Sequence, residues 1–186
     1  CGKSTLGRCA IRLIEPTDGN IFFEGEDLRK KKSSVLRNMR RDMQMVFQNP
    51  QAALNPRKTI AVNLGEAAHY HGIVSNLKER DEYVVQILES VKMPADALNR
   101  YPHEFSGGQQ QRLCIGRAIS LKPKLVICDE AVSALDVSVQ AQVLNLLYDL
   151  KNEYGLSYIF ISHDLSVIRH FCDRVLVLHF GRSEEH

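Results

Sequence analysis

Gly2-Lys3-Ser4-Thr5, followed by apolar residues Leu6, Ala10, Leu13 and Ile14 at helical spacing, frames the reading of the whole chain. A glycine lets backbone N–H groups approach an anion, and a helix N-terminus favours negative charge. Lys3 adds a point charge, and Ser4 offers an oxygen for magnesium. The tetrapeptide has the form of the end of a phosphate-binding loop, G-x-x-x-x-G-K-[ST]. A surface helix can also begin this way, so the motif needs a second device elsewhere.

That device is Leu125-Val126-Ile127-Cys128-Asp129-Glu130, an apolar strand that delivers two adjacent carboxylates at its C-terminal end. Ligands of open α/β sheets bind at such ends. The first acid suits a magnesium site, and the second suits orientation or deprotonation of an attacking water. Together with Lys3 and Ser4 they point to a nucleoside triphosphate with magnesium. Glu104-Phe105-Ser106-Gly107-Gly108-Gln109-Gln110-Gln111-Arg112 adds two glycines behind a serine at the start of a helix, a second anion site of different design.

Around these motifs, strands and helices alternate. A helix after Lys3 runs until Glu15-Pro16, short strands are expected at 21–23 and 43–47, and a helix spans 108–120. The apolar strand 125–128 is followed by a helix with Val139, Val143, Leu146, Leu147 and Leu150 on one face. A strand at 157–161, a helix at 165–171 and a strand at 175–178 complete the pattern. Continuous apolar strands between amphipathic helices imply an α/β fold with a mostly parallel sheet. Residues 49–105 break the alternation: Pro50, Pro56 and Pro94 punctuate helical patterns, and the segment reads as a helical insertion.

Composition bounds the function. At 186 residues the chain is one domain, or one with an inserted lobe, on the scale of about 150 residues per domain. A hydrophobic share of 44% with 25% charged residues excludes disorder as the main state. A net charge of +2 supplies no global field for nucleic acid or an anionic membrane. The basic run Arg29, Lys30, Lys31, Lys32, Arg37, Arg40 and Arg41 lacks interleaved aromatic residues and reads as solvated surface. Five scattered cysteines, Cys1, Cys9, Cys114, Cys128 and Cys172, show no paired spacing for zinc or redox chemistry. No apolar run reaches the roughly 18 residues of a membrane span, and no secretory segment opens the chain, so a soluble cytoplasmic protein is expected. A start at Cys1, inside a motif, reads as a piece of a longer protein.

The ordered set Gly2-Lys3-Ser4-Thr5, Gln48, Ser106-Gly107-Gly108-Gln109, Asp129-Glu130, Ser133-Ala134-Leu135-Asp136 and Ser162-His163-Asp164 resembles the ATP-binding cassette (ABC) ATPase family over essentially the whole chain. The resemblance implies a P-loop NTPase core formed by residues 1–48 and 109–180, with a helical subdomain at 49–108 carrying the signature motif. The whole, 1–186, is then a single domain incomplete at its N-terminus. It implies ATP and Mg2+ as ligands, held by Gly2, Lys3, Ser4 and Thr5, with Ser4, Gln48 and Asp129 at the metal. Glu130 is implied as catalytic base, Gln48 as the sensor of metal and water, and His163 as a γ-phosphate contact. Ser106, Gly107, Gly108 and Gln109 serve the ATP of a second, head-to-tail ABC subunit, identical or sibling, and Asp136 communicates across that dimer.

Phe47-Gln48-Asn49-Pro50, Tyr101-Pro102-His103-Glu104-Phe105 and the segment after Glu130 are similar to the ATPase subunits of bacterial oligopeptide and dipeptide importers, a group that includes nickel importers. Two departures, Gln51 and Gln110, are given no functional weight. The resemblance implies permease partners docking near residues 54–70, a solute-binding protein acting indirectly, no nucleic acid, and a peripheral place on the cytoplasmic face of the membrane. It further implies that the chain starting at Cys1, without the earlier half of the phosphate loop, binds ATP poorly. A soluble ABC-type ATPase, an importer of another small solute and a non-enzymatic nucleotide-dependent module are the competing readings.

Overall fold

A computed structural model describes residues 2–184; Cys1 lies outside the described residues. Helix α1 (Lys3–Ala10) opens on Gly2, whose φ of 90° is a left-handed conformation that suits glycine. The helix was expected to run to Ile14 but stops at Ala10. The chain turns left-handed at Arg12 (φ 51°), where Leu13 N–H reaches the Arg8 carbonyl and Arg12 N–H the Cys9 carbonyl, each at 2.8 Å. This is a Schellman closure with an arginine where glycine is usual. The Arg12 guanidinium donates to the Leu28 carbonyl at 2.5 Å and the Lys31 carbonyl at 3.1 Å, which ties the turn to the next segment.

Strands β1 (Phe22–Phe23) and β2 (Glu26–Asp27) form an antiparallel hairpin outside the central sheet. Their two-residue turn, Glu24 and Gly25, has φ of 52° and 78°, the sign pattern of a type I′ connection. Helix α2 (Ser33–Met39) follows. Part of the neighbouring basic run is spent within the fold. Lys31 pairs with Glu26 at 2.5 Å, Lys30 with Asp27 at 3.6 Å, and Arg40 donates to the carbonyls of Ile11 and Arg12.

Strand β3 (Met43–Val46) leads into the helices α3 (Pro50–Ala53), α4 (Ile60–Tyr70), α5 (Leu77–Ser90) and α6 (Gly107–Ile119). Strand β4 (Leu125–Asp129), helix α7 (Val137–Tyr154), strand β5 (Ser157–Ile161) and helix α8 (Leu165–Phe171) come next. The last described elements, β6 (Val177–His179) and β7 (Arg182–Glu184), form a second antiparallel hairpin rather than the parallel strand expected at 175–178. Its turn, Phe180 and Gly181, again has positive φ at both residues, 46° and 77°.

The central sheet is parallel, in the order β3-β4-β5, with Met43 opposite Leu125 and Leu125 opposite Ser157. β4 is the middle strand and is buried on both faces, as its unbroken apolar run requires. One apolar cluster joins Leu64 of α4, Leu88 of α5 and Leu113 of α6 to Val126, Cys128, Leu146 and Leu150. A second packs Ile11, Leu28, Leu36 and Met43 against Ile127 and Ile161 on the other face. Each fully buried leucine among these adds about 1.5–3 kcal/mol. The result is a sheet clamped between two layers, its three carboxyl ends opening on one edge.

Candidate active site at the carboxyl ends of the strands

Those three ends deliver Gln48, the Asp129-Glu130 pair and, past Ile161, His163 to one place. Asp129 is the last residue of β4 and is buried. Ser4, in the first turn of α1, donates its hydroxyl proton to Asp129 Oδ1 at 2.7 Å, which brings the two sequence-distant motifs into contact. The Arg8 guanidinium stands 3.8 Å from Asp129 Oδ2. Sequence reading missed Arg8, although it lies one helical turn beyond Ser4 and therefore on the same face of α1.

Glu130 has a φ of 50°, a left-handed backbone on a residue without glycine's freedom. Three hydrogen bonds hold it there. Its N–H donates to the Ile161 carbonyl at 3.0 Å, while Ser133 donates to the Glu130 carbonyl through its N–H at 3.1 Å and its hydroxyl at 3.0 Å. The side chain is held as firmly. Gln48 Nε2 donates to Glu130 Oε2 at 3.1 Å and to Ser133 Oγ at 3.2 Å, and His163 Nδ1 lies 3.5 Å from Glu130 Oε1. Strained backbone at a convergence of polar groups marks a site where geometry is maintained against its cost.

Gly2, Lys3, Ser4 and Thr5 form the entry and first turn of α1, so that the helix N-terminus turns toward the same edge. Ser4, Asp129 and the amide oxygen of Gln48 are hard oxygen donors of the kind magnesium takes. Among the described residues no cluster of three or more His, Cys, Asp or Glu side chains forms a metal cage. A few protein oxygens supplemented by phosphate oxygens are the arrangement magnesium favours.

Ser106 caps α6 in a capping box: its hydroxyl accepts from Gln109 N–H at 3.4 Å and its N–H donates to Gln109 Oε1 at 2.9 Å. No hydrogen bond among the described residues joins Ser106, Gly107, Gly108 or Gln109 to the Ser4–Asp129–Glu130 cluster. A Cβ on Gly108 would run into the Val139 side chain, whereas one on Gly107 would meet nothing within 4 Å. The second glycine therefore serves packing of α6 on α7, and the first faces open space. Asp136 occupies the N-cap of α7, yet its carboxylate makes no capping hydrogen bond. Gln110, given no weight from sequence, is buried and donates to the carbonyls of Pro102 and Phe105, both at 3.0 Å.

Among the described residues the cysteines make no hydrogen bond to this cluster. Burial pushes the Cys114 thiol up to about 12 and the Cys128 thiol higher, so both are protonated and unreactive near neutrality. A cavity of about 690 Å3 between α1, β5 and the segment 172–178 is walled mainly by apolar side chains and reaches the edge of this cluster at Lys3 and Ser162. The polar side chains converge at the strand ends.

A parallel sheet with a glycine-led helix N-terminus facing a buried strand-end aspartate defines the P-loop NTPase class of α/β proteins. Comparison with known proteins narrows the class: residues 1–133 match the ABC transporter family, and the chain belongs to that family. It is 50% identical over 186 residues to the oligopeptide transport ATP-binding protein OppF of Bacillus subtilis, covering 100% of this chain and 61% of that protein. It is 52% identical over 186 residues to OppF of Salmonella typhimurium, covering 100% of this chain and 55% of that protein. The chain thus spans little more than half the length of these relatives. The dimeric ATP-binding cassette MJ0796, solved in a post-hydrolysis state bound to ADP and Pi, superposes with a TM-score of 0.83 at 28% identity, covering 99% of this chain and 80% of that chain. Among the described residues no helix is long and apolar enough to cross a membrane.

Proposed function

We propose that the protein hydrolyses ATP to power a membrane importer of oligopeptides or dipeptides. The observation that carries the reading is the convergence of Gln48, His163 and Ser133 on a backbone-strained Glu130 beside the Ser4–Asp129 contact. Lys3 and the N–H groups opening α1 bind the phosphates. Ser4, Asp129 and Gln48 hold Mg2+, which when bound neutralises phosphate charge. Glu130 accepts a proton from the attacking water, Gln48 holds that water in line, and His163 contacts the γ-phosphate.

Gly107, with its face open, belongs with Ser106, Gly108 and Gln109 to a surface offered to the ATP of a second, head-to-tail subunit, with Asp136 alongside. In this reading residues 1–48 and 109–180 are the nucleotide-binding core, and 49–108 the helical subdomain that meets the permease. The exposed Tyr70 and Leu77, at the end of α4 and the start of α5, suit a protein contact there. The subunit then sits peripherally on the cytoplasmic face of the membrane, and the peptide class rests on the named relatives.

The test is Glu130→Gln in the protein expressed from its complete reading frame. Turnover of ATP is expected to fall by about 100-fold or more, the range of a general base, with ATP still bound. Unchanged turnover refutes the hydrolytic reading. Uptake of labelled di- and oligopeptides into vesicles carrying the assembled importer, competed by nickel or other small solutes, checks the substrate class.

A further inference from the structure

Gln109, Gln110 and Gln111 occupy a single turn of α6 and grip three different parts of the chain. Gln109 closes the capping box on Ser106. Gln110 holds the approach to Ser106 through the carbonyls of Pro102 and Phe105. Gln111, only 1% exposed, turns the other way and donates to the Phe47 carbonyl at 3.4 Å, across 64 positions of sequence. The contact repeats down the helix. Cys114 Sγ donates to the Pro50 carbonyl at 3.6 Å, and the Arg117 guanidinium to the Ala53 carbonyl. Donors and acceptors both advance by every third residue, so α6 and segment 47–53 run side by side in step.

The residue after Phe47 is Gln48, whose amide reaches Glu130 and Ser133. One helix therefore carries Ser106 at its tip and grips the backbone that places Gln48. A cavity of about 160 Å3, with Gln48, Gly107, Gln111 and Ala131 on its walls, lies between them and leaves room for small displacements.

We infer that Gln111 is a positioning residue that locks the Gln48 backbone to the Ser106 helix, so that Gln48 in one protomer's site sets the pose of the serine offered to the other. The inference rests on the two-protomer reading above. Its physical basis is the burial of the amide. Removing the donor leaves the Phe47 carbonyl without its side-chain partner and releases the first rung of the ladder.

The experiment uses the protein from its complete reading frame and the variant Gln111→Met, which keeps length and volume while deleting the donor. Affinity for a non-hydrolysable ATP analogue is expected to stay within about twofold, because Lys3, Ser4 and Asp129 are untouched. kcat is expected to fall about tenfold through misplacement of Gln48. The Hill coefficient for ATP is expected to drop toward one, and amide exchange of residues 48–53 to quicken. Unchanged kcat and Hill coefficient, in a protein whose Glu130→Gln variant is inactive, overturn the inference while leaving the hydrolytic site standing. Unchanged turnover in Glu130→Gln overturns the site reading and this inference with it. Should Gln111→Met fail to fold, Arg117→Gln at the exposed end of the ladder is read the same way: lost cooperativity with retained affinity supports the link, and wild-type kinetics overturn it.

Discussion

Alanine at Gly108 and alanine at Gly107 should have opposite consequences, although the two glycines are adjacent. At Gly108 the added Cβ falls inside contact distance of Val139 Cγ1, whereas at Gly107 it meets nothing within 4 Å. Val139 sits on α7, where a β-branched side chain keeps one rotamer about 90% of the time and cannot easily swing aside. Either α6 or α7 must shift, and overpacking of this kind costs about 1–3 kcal/mol. Helix propensity returns about 0.5–1 kcal/mol when glycine becomes alanine, which leaves a net loss of about 1 kcal/mol for Gly108→Ala at the middle of both ranges. For a chain of this size that lowers the melting temperature by about 2–4 °C. Gly107→Ala has the propensity gain without the collision and should melt at or slightly above the wild type. Thermal denaturation by circular dichroism of both variants, together with Val139→Ala and the double variant Gly108→Ala/Val139→Ala, closes a mutant cycle in which removal of the Val139 methyls restores most of the loss. Equal melting temperatures for the two single variants would refute the packing role given to Gly108.

Ser4→Ala removes the hydroxyl that donates to buried Asp129 Oδ1, leaving that carboxylate with Arg8 at 3.8 Å. A hydrogen bond to a charged group contributes about 1.5–3 kcal/mol, so urea unfolding should show a loss near that size, and Ser4→Thr, which keeps the donor, should show little. At the N-terminus of α8, hydrogen bonds from the Ser166 hydroxyl and then its N–H hold the Asp164 carboxyl below its ordinary value of 3.8. A depressed folded value means the carboxylate stabilises the cap at pH above 3.8 and that this contribution is lost as pH falls through the lower, folded value. Amide exchange at Ser166 should therefore lose protection in that acid range in the wild type, whereas Asp164→Asn should show no such step. Coincident profiles would count against the carboxylate cap.

The central sheet was legible in the sequence because its strands are continuous apolar runs between helices of clear period, and β5 and α8 fall at the residues expected. The termini of other elements were not. Helix α1 overran its true end because the stop at Arg12 uses a non-glycine residue in the left-handed region, held by side-chain bonds to Leu28 and Lys31 that have no local signature. Both hairpins were missed for a related reason. Their turns place Glu24 and Phe180 at positive φ where asparagine or aspartate would have announced the turn. In the site, Ser4 and the Asp129-Glu130 pair were read from their motifs, and Gln48 and His163 from the family resemblance, without any contact being visible. What spacing could not show is how Glu130 is restrained. Ser133 has no signal of its own within Ser133-Ala134-Leu135-Asp136, and the bond from Gln111 to Phe47 joins residues too far apart for a pattern to reveal.

The left-handed backbone at Glu130 sets folding and chemistry at odds on a single residue. A selection for heat resistance alone would reward glycine at this position, since glycine relaxes the dihedral and gives up only a partly exposed side chain. On the proposed reading of Glu130 as the base, the survivors of such a screen would be sturdier proteins stripped of the carboxylate, so any campaign to harden this chain has to score turnover at each round or it will breed out the activity it set out to preserve.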